Sequence, residues 1–370
     1  MHSDLLLVLV VGTALAFDFT NGFHDTANVV ATSISTRALS PRVAIGLAAV
    51  LNFAGAFISL KVAATIAKGI VDVGTISMTI LFAGLIGAII WNLATWYLGL
   101  PSSSSHALIG GVVGATLIAH GTGAVHFDGL LGKVIIPALL SPVLAFVVAA
   151  LSILLTYRLA GRLRPGPAKR GFRVGQVFSG GMLALAHGTN DAQKTMGVIT
   201  LALIAHGDLP SKHFAVPNWV VITAASAIAL GTYAGGWRII RTMGSRIIKM
   251  DPAQGFTAQT AGATVILAAS HVGFPLSTTH VMAGGVMGAG AGKRVSAVRW
   301  GVASNMATAW ALTLPAAAAA GALAYGASRV FGEGALGPAI VIVTTAGLLL
   351  AGAMRRSKRL EALRPSRVSP

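Results

Sequence analysis

The chain has 370 residues, of which 55% are hydrophobic and only 10% are charged, and its mean hydropathy is +0.78. Soluble domains usually carry about a quarter charged residues, so the composition excludes a soluble enzyme, a fibrous protein and a disordered chain. Apolar stretches such as 78–98 and 134–156 reach the roughly 20 residues that a helix needs to span a bilayer. The composition therefore predicts an all-α polytopic membrane protein.

The charge is strongly basic, with 27 Lys and Arg against 10 Asp and Glu. Because the basic residues lie in short connections between apolar segments, they indicate membrane orientation and not nucleic-acid binding. The absence of cysteine excludes disulfides and thiolate metal ligands. No Lys or Arg precedes the first apolar run, so we expect a retained membrane segment there and not a cleaved signal peptide.

Hydropathy predicts about eleven to twelve membrane segments. In chain order, the apolar stretches are 5–36, 43–61, 78–98, 105–120, 133–157, 175–204, 218–236, 257–273, 277–291, 297–327 and 337–354. If the N-terminus is outside, 21 Lys and Arg fall on the inner side and 5 on the outer side. This asymmetry predicts a cytoplasmic C-terminus.

A polar break divides the chain near its middle. Residues 158–174 are basic and contain two prolines, which predicts a cytoplasmic linker. The linker separates a first membrane repeat, 1–157, from a second, 175–354, and residues 355–370 form a basic cytoplasmic tail.

The two halves share two motifs. PSSSSHALIGG at 101–111 recurs as PLSTTHVMAGG at 275–285, and NGFHDTAN at 21–28 resembles HGTNDAQK at 187–194. Five predicted crossings separate each motif from its copy, and this odd number makes the copies point in opposite directions. Inverted repeats with broken or re-entrant helices are typical of secondary transporters, whose site lies where the repeats meet.

Acidic residues occur within two predicted spans, where a carboxylate costs about 2.5–3.5 kcal/mol on insertion scales. Asp18, Asn21, Asp25, Asn28 and Thr32 share one helical face, and His187, Asn190, Asp191, Gln193 and Lys194 form a comparable cluster in the second half. Carboxylate and amide oxygens suit Na⁺, and a carboxylate can also carry a proton. We therefore expect Na⁺ or H⁺ as coupling ion, with no other metal and no cofactor. The predicted cation site consists of Asn21, Asp25, Asn190, Asp191 and Gln193.

Hydroxyl runs mark two predicted helix starts. They contain Ser103, Ser104 and Ser105 in the first half and Ser277, Thr278 and Thr279 in the second. The first N–H groups of a helix are unpaired and its dipole end is positive, so such a start favours an anion. The two runs predict a site for a tetrahedral oxyanion, with bonding of each hydroxyl to its own helix as the alternative.

These four motifs are similar to the paired signatures of the PiT inorganic phosphate transporter family. The resemblance implies uptake of inorganic phosphate, either free or as a metal-phosphate complex, by symport with Na⁺ or H⁺. It also implies a homodimer in a plasma membrane, namely a bacterial inner membrane. The hydroxyls of both runs, together with Asn28, would be the phosphate ligands.

Two departures from the family pattern concern the coupling ion. Many members carry Glu where this chain has Asn52 and Gln259, and the missing carboxylates leave Na⁺ coupling open. A histidine at this position, His24 in this chain, is associated with bacterial members of the family, several of which are proton-driven.

Three other functions remain as alternatives. They are a symporter for another oxyanion such as sulfate, a channel, and an intramembrane hydrolase that uses a serine with His106 or His280 and an aspartate. Duplicated candidate groups argue against the hydrolase, because a nucleophile needs one asymmetric constellation.

Overall fold

The computed structural model describes residues 2–72, 74–160, 164–210, 214–332 and 334–362. Within these ranges the secondary structure consists of helices and one isolated β-bridge, between Val71 and Val125. The predicted all-α class is therefore confirmed.

The helices of the first half are α1 (His2–Ser35), α2 (Pro41–Gly55), α3 (Lys61–Lys68), α4 (Met78–Leu98), α5 (Ser104–His120), α6 (Phe127–Leu130) and α7 (Ile136–Ala160). Those of the second half are α8 (Pro165–His206), α9 (Asn218–Ala234), α10 (Trp237–Arg241), α11 (Pro252–Val272), α12 (Thr278–Lys293), α13 (Trp300–Arg329) and α14 (Leu336–Ala362).

The chain contains both long and short apolar helices. In the described part of the chain, four stretches are long and apolar enough to span a membrane, namely Ser3–Ser35, Met78–Leu98, Phe127–Ala160 and Trp300–Arg329. A further candidate, Asn218–Ala234 followed by Trp237–Arg246, is bent by 60°. Two predicted segments, 43–61 and 105–120, form the shorter helices Pro41–Gly55 and Ser104–His120. Such short helices are the form that broken or re-entrant segments take.

The predicted linker 158–174 is helical on both sides of residues 161–163, which lie outside the described residues. Helix α7 continues to Ala160, and α8 begins at Pro165. Proline suits this first helical position, because the N–H group that it lacks would have no partner within the helix. Of the predicted tail 355–370, the backbone through residue 362 continues α14, and residues 363–370 lie outside the described residues.

The helix contacts follow a two-fold pattern. Helix α1 packs on α9 while α8 packs on α2, and α5 packs on α13 while α12 packs on α7. Likewise α4 packs on α5, and α11 packs on α12. Each of these contacts has a counterpart in which the equivalent helices of the two halves exchange places, as expected of two copies of one fold. The opposite orientation of the copies stays a prediction from the number of crossings.

Glycines at repeated positions bring helix backbones into contact after both hydroxyl runs. The facing pairs are Gly110–Leu314, Gly114–Ala318, Gly284–Pro142 and Gly288–Phe146. At each glycine, an added Cβ would overlap the carbonyl group of the facing residue. Small residues permit this close approach of helices in membranes. The glycines thus hold α5 against α13 and α12 against α7.

Replacing Gly288 by alanine should lower the melting temperature of the purified protein. The new methyl group would meet the Phe146 backbone, and overpacking of this kind costs about 1–3 kcal/mol. The matched control is Gly12→Ala in α1, where a Cβ would meet no atom within 4 Å. Equal melting temperatures for the two variants would contradict the packing role.

Candidate functional site

Both hydroxyl runs lead into a helix, and the first hydroxyl of each run caps that helix. Ser103 accepts a hydrogen bond from the backbone N–H of His106 at 3.2 Å, and Ser277 accepts one from His280 at 3.2 Å. Both serines are buried in extended backbone just before α5 and α12. Both serine oxygens are engaged as helix caps. Their predicted role as phosphate ligands stays a prediction.

The acids of the two halves meet inside the protein. Asp25 of α1 and Asp191 of α8 are both buried, and one oxygen of each, together with one ring nitrogen of His187, lie within 4.8 Å of one another. The Thr278 hydroxyl lies 3.1 Å from Asp191 Oδ2 and 3.4 Å from Asp25 Oδ2. The start of α12 therefore contacts both carboxylates.

Each acid also accepts a hydrogen bond from the hydroxyl run of its own half. Ser104 Oγ donates to Asp25 Oδ2 at 2.8 Å, and Thr278 stands at the matching position for Asp191. Repetition of this contact in both halves argues against chance polar packing.

A second pair of contacts crosses between the halves. Asn28 Nδ2 donates to Thr279 Oγ1 at 2.9 Å, and Lys194 Nζ donates to Ser105 Oγ. In the aligned motifs Lys194 matches Asn28, and Ser105 matches Thr279. A side chain from each half therefore donates a hydrogen bond to the hydroxyl run of the other half.

Lys194 belongs to the polar cluster that the sequence predicts in the second half, but the sequence prediction assigns it no role in the site. Its side chain is fully buried, and its ammonium donates to Asp191, to Ser105 and to the Leu276 carbonyl, the last at 2.9 Å. The sequence contains a signal for a role of Lys194 in the site. Burying a lysine within a predicted membrane span costs free energy, so such a lysine usually faces a partner.

Each acid also has a histidine partner. His24 Nδ1 lies 2.7 Å from Asp25 Oδ1, and His187 Nε2 lies 2.9 Å from Asp191 Oδ2. The other ring nitrogen of each histidine also has a hydrogen-bond partner. His24 Nε2 lies 3.2 Å from Thr95 Oγ1, and His187 Nδ1 lies 3.2 Å from Asn52 Oδ1. These contacts orient both carboxylates toward the hydroxyls.

Three residues of the predicted cation site are placed differently from the two acids. Asn190 Nδ2 donates to Ser270 Oγ at 2.8 Å and to the Phe274 carbonyl at 3.2 Å. Asn21 is buried, and the described residues provide no hydrogen-bond partner for its amide.

Gln193 Oε1 accepts from the backbone N–H groups of Val62 and Ala63, at 2.8 and 3.2 Å. It therefore pairs unsatisfied donors at the start of α3. The roles of these three amides as ion ligands stay predictions.

The two histidines of the hydrolase alternative contact each other. The rings of His106 and His280 meet edge-on with their centroids 4.9 Å apart, and His280 stacks on Trp310 at 4.1 Å. In the part of the chain that the structure describes, neither ring bonds to a serine hydroxyl. Their position supports a packing role beside the site.

The sequence model of the phosphate transporter family matches residues 21–168 and 156–321. The chain belongs to this family. A relative from Mycobacterium bovis, named a probable low-affinity inorganic phosphate transporter, is 53% identical over 88% of this chain and 78% of its own length. Relatives of the same name from Rhizobium meliloti and Bacillus subtilis are 51% and 46% identical, over 86% and 87% of this chain and 96% of their own lengths.

A solved structure titled "The sodium-dependent phosphate transporter" shares the fold, with a TM-score of 0.79 and 24% identity over 88% of this chain and 99% of that chain. Its family, its curated relatives and its membrane-length helices show that the chain is a multi-pass membrane protein of a transporter family, and not an enzyme. The resemblance read from the four motifs is confirmed.

Replacing Gln193 by leucine should lower the melting temperature, because two N–H groups at the start of α3 would lose their acceptor. A buried donor without a partner costs about 1–3 kcal/mol. Thr260→Val, which removes an exposed hydroxyl of α11, is the control. A Gln193→Leu protein with unchanged stability but altered ion dependence would instead support the role of ion ligand.

Proposed function

We propose that this protein imports inorganic phosphate by symport with a cation, either Na⁺ or H⁺. The relatives from Mycobacterium bovis, Rhizobium meliloti and Bacillus subtilis carry the name of an inorganic phosphate transporter, and the structural neighbour is titled sodium-dependent. The observation that carries the proposal is the contact of Thr278 with both Asp25 and Asp191. It joins a candidate anion ligand to the two acids at one point.

The hydroxyls and the amide provide the anion ligands in this proposal. They are Ser104, Ser105, Thr278, Thr279 and Asn28, all of them buried. Helices α5 and α12 add the positive ends of their dipoles and their unpaired N–H groups. Donors arriving from two halves suit a tetrahedral anion, because its four oxygens point in different directions.

The acids make anion binding depend on a cation. Two unit charges about 4 Å apart interact by ~4 kcal/mol at an effective dielectric constant of about 20, so two carboxylates would repel phosphate strongly. A hydroxyl has one proton, and Thr278 can therefore donate to only one acceptor at a time. A Na⁺ between the acids, or a proton on one of them, offsets their charge and frees the hydroxyls for phosphate. Each ligand then raises the affinity for the other, which is the requirement for coupling.

The same acids favour phosphate over sulfate. Phosphate keeps at least one proton near neutral pH and can donate a hydrogen bond to a carboxylate, whereas sulfate is fully deprotonated and only accepts. Next to Asp25 and Asp191, the oxygens of sulfate would face carboxylate oxygens, and neither group has a proton to donate.

Uptake of labelled phosphate into proteoliposomes, with Na⁺ and proton gradients imposed separately, tests the proposal. We expect accumulation to require one of the gradients, and arsenate but not sulfate to compete. Equal competition by sulfate would point to a general oxyanion carrier. Uptake indifferent to both gradients would point to a channel.

Asp25→Asn and Asp191→Asn should each abolish gradient-driven uptake, because the amide can neither carry a proton nor neutralise a cation. Asp128→Asn, at an exposed position in α6, is the matched control. Reconstituted protein should be quantified so that transport is compared per inserted molecule. Transport by both variants at the wild-type rate would refute the role of the carboxylates.

Ser104→Ala and Thr278→Val should each raise the KM for phosphate by roughly tenfold or more, since a hydrogen bond to a charged group contributes about 1.5–3 kcal/mol. Thr116→Val is the control, because among the described residues that buried hydroxyl of α5 bonds only to the Val112 carbonyl of its own helix. An unchanged KM in either variant would remove that hydroxyl from the phosphate site.

A further inference from the structure

One residue breaks the two-fold symmetry of the site. The aligned motifs place Asn28 and Lys194 at equivalent positions, and both side chains donate to the last hydroxyl of the opposite run. Asn28 reaches Thr279, and Lys194 reaches Ser105. The same contact is therefore made by a neutral amide in one half and by an ammonium in the other.

The ammonium of Lys194 has the surroundings of a bound monovalent cation. Its three partners are a carboxylate (Asp191), a hydroxyl (Ser105) and a backbone carbonyl (Leu276). Oxygens of these kinds are the ligands that Na⁺ takes in proteins. The side chain has no exposed surface, and the three partners offset the cost of burying its charge.

The lysine also changes the charge of the site. Asp25 and Asp191 bring two negative charges, and Lys194 returns one positive charge that cannot leave. Asp18, a further buried acid of α1, lies near Asp191 and Lys194. A site with asparagine at both equivalent positions would therefore need one more mobile cation than this site to neutralise the same acids.

We propose that Lys194 is a tethered cation of the phosphate site, which binds the anion together with Ser105 and occupies the place of one mobile Na⁺. This inference rests on the proposed function and names the cation that one half of the site uses. The mobile coupling ion then acts at Asp25, the other acid that Thr278 contacts.

Comparison of the wild type with Lys194→Asn provides the first test. In proteoliposomes, phosphate uptake by the wild type should have a lower Hill coefficient for Na⁺ than uptake by Lys194→Asn, because the variant needs one more mobile cation. Equal Hill coefficients for Na⁺ in the two proteins would overturn the proposal. Failure of the wild type to transport phosphate at all would count against the proposed function instead.

Two substitutions separate charge from oxygen ligation. Lys194→Asn makes the second half match the first, and we expect its KM for phosphate to rise at least tenfold without Na⁺ and to fall again when Na⁺ is added. Lys194→Met is similar in length but has neither a charge nor an oxygen, so added Na⁺ should not restore its uptake. Lys61→Asn, at an exposed position, is the control. Wild-type KM values for Lys194→Met in Na⁺-free medium would overturn the proposal.

Chemical rescue is possible because the chain contains no cysteine. In Lys194→Cys, the thiolate attacks 2-aminoethyl methanethiosulfonate, forms a disulfide and releases methanesulfinate, which leaves a side chain ending in an ammonium. Methyl methanethiosulfonate forms the same bond without the charge. Reaction should be followed by mass spectrometry on the reconstituted protein.

We expect only the aminoethyl reagent to restore uptake, and phosphate to slow the modification. Equal rescue by both reagents would show that volume and not charge matters, and would overturn the proposal. A thiol that neither reagent modifies would mean that position 194 does not face the transported ions, with the same consequence.

Discussion

The constraint on which the site depends is the burial of two carboxylates next to each other. Asp25 and Asp191 are both shielded from solvent and share the Thr278 hydroxyl as a neighbour. Burying a charge is costly unless it is paired and hydrogen-bonded. The residues around the acids meet this requirement with two donating hydroxyls and one ammonium, and a ring nitrogen of a histidine lies 2.7 Å from Asp25 and another 2.9 Å from Asp191. An arrangement that needs positive charge to be stable is suited to bind a cation and an anion together.

Duplication of the fold explains how one chain assembles this arrangement. Each half supplies to the site an acid on a long helix, Asp25 or Asp191, and a hydroxyl run at the start of a short helix. The short helices are held in place by helices of the same pattern, α5 by α13 and α12 by α7, through glycines at repeated positions. Because the acids lie on α1 and α8, which come from different halves, the site exists only where the halves meet. This placement agrees with the midplane sites of transporters built from repeats.

The parts of the structure that depend on local pattern could be predicted from the sequence. Composition and the length of the apolar stretches indicated the helical class, and the two repeated motifs indicated that Asp25 and Asp191 belong together. The partners of Gln193 could not be predicted, because they depend on which helix start lies opposite, and Val62 is 131 residues away. The linker shows a second limit. Its charges mark a polar region, but arginine and lysine favour helices, so α8 begins within it at Pro165.

Lys194 shows how a symmetric frame can hold an asymmetric site. Asparagine and lysine make the same contact at equivalent positions, with Thr279 and Ser105 respectively, so the exchange changes the charge without changing the frame. A perfectly two-fold site would treat both halves alike and bind the same ions in each. If Lys194 acts as the proposed tethered cation, only the other half has to exchange its cation with water during transport. In that case the number of coupling ions depends on the charges that side chains fix in the site, and not only on the fold that the chain shares with its structural neighbour.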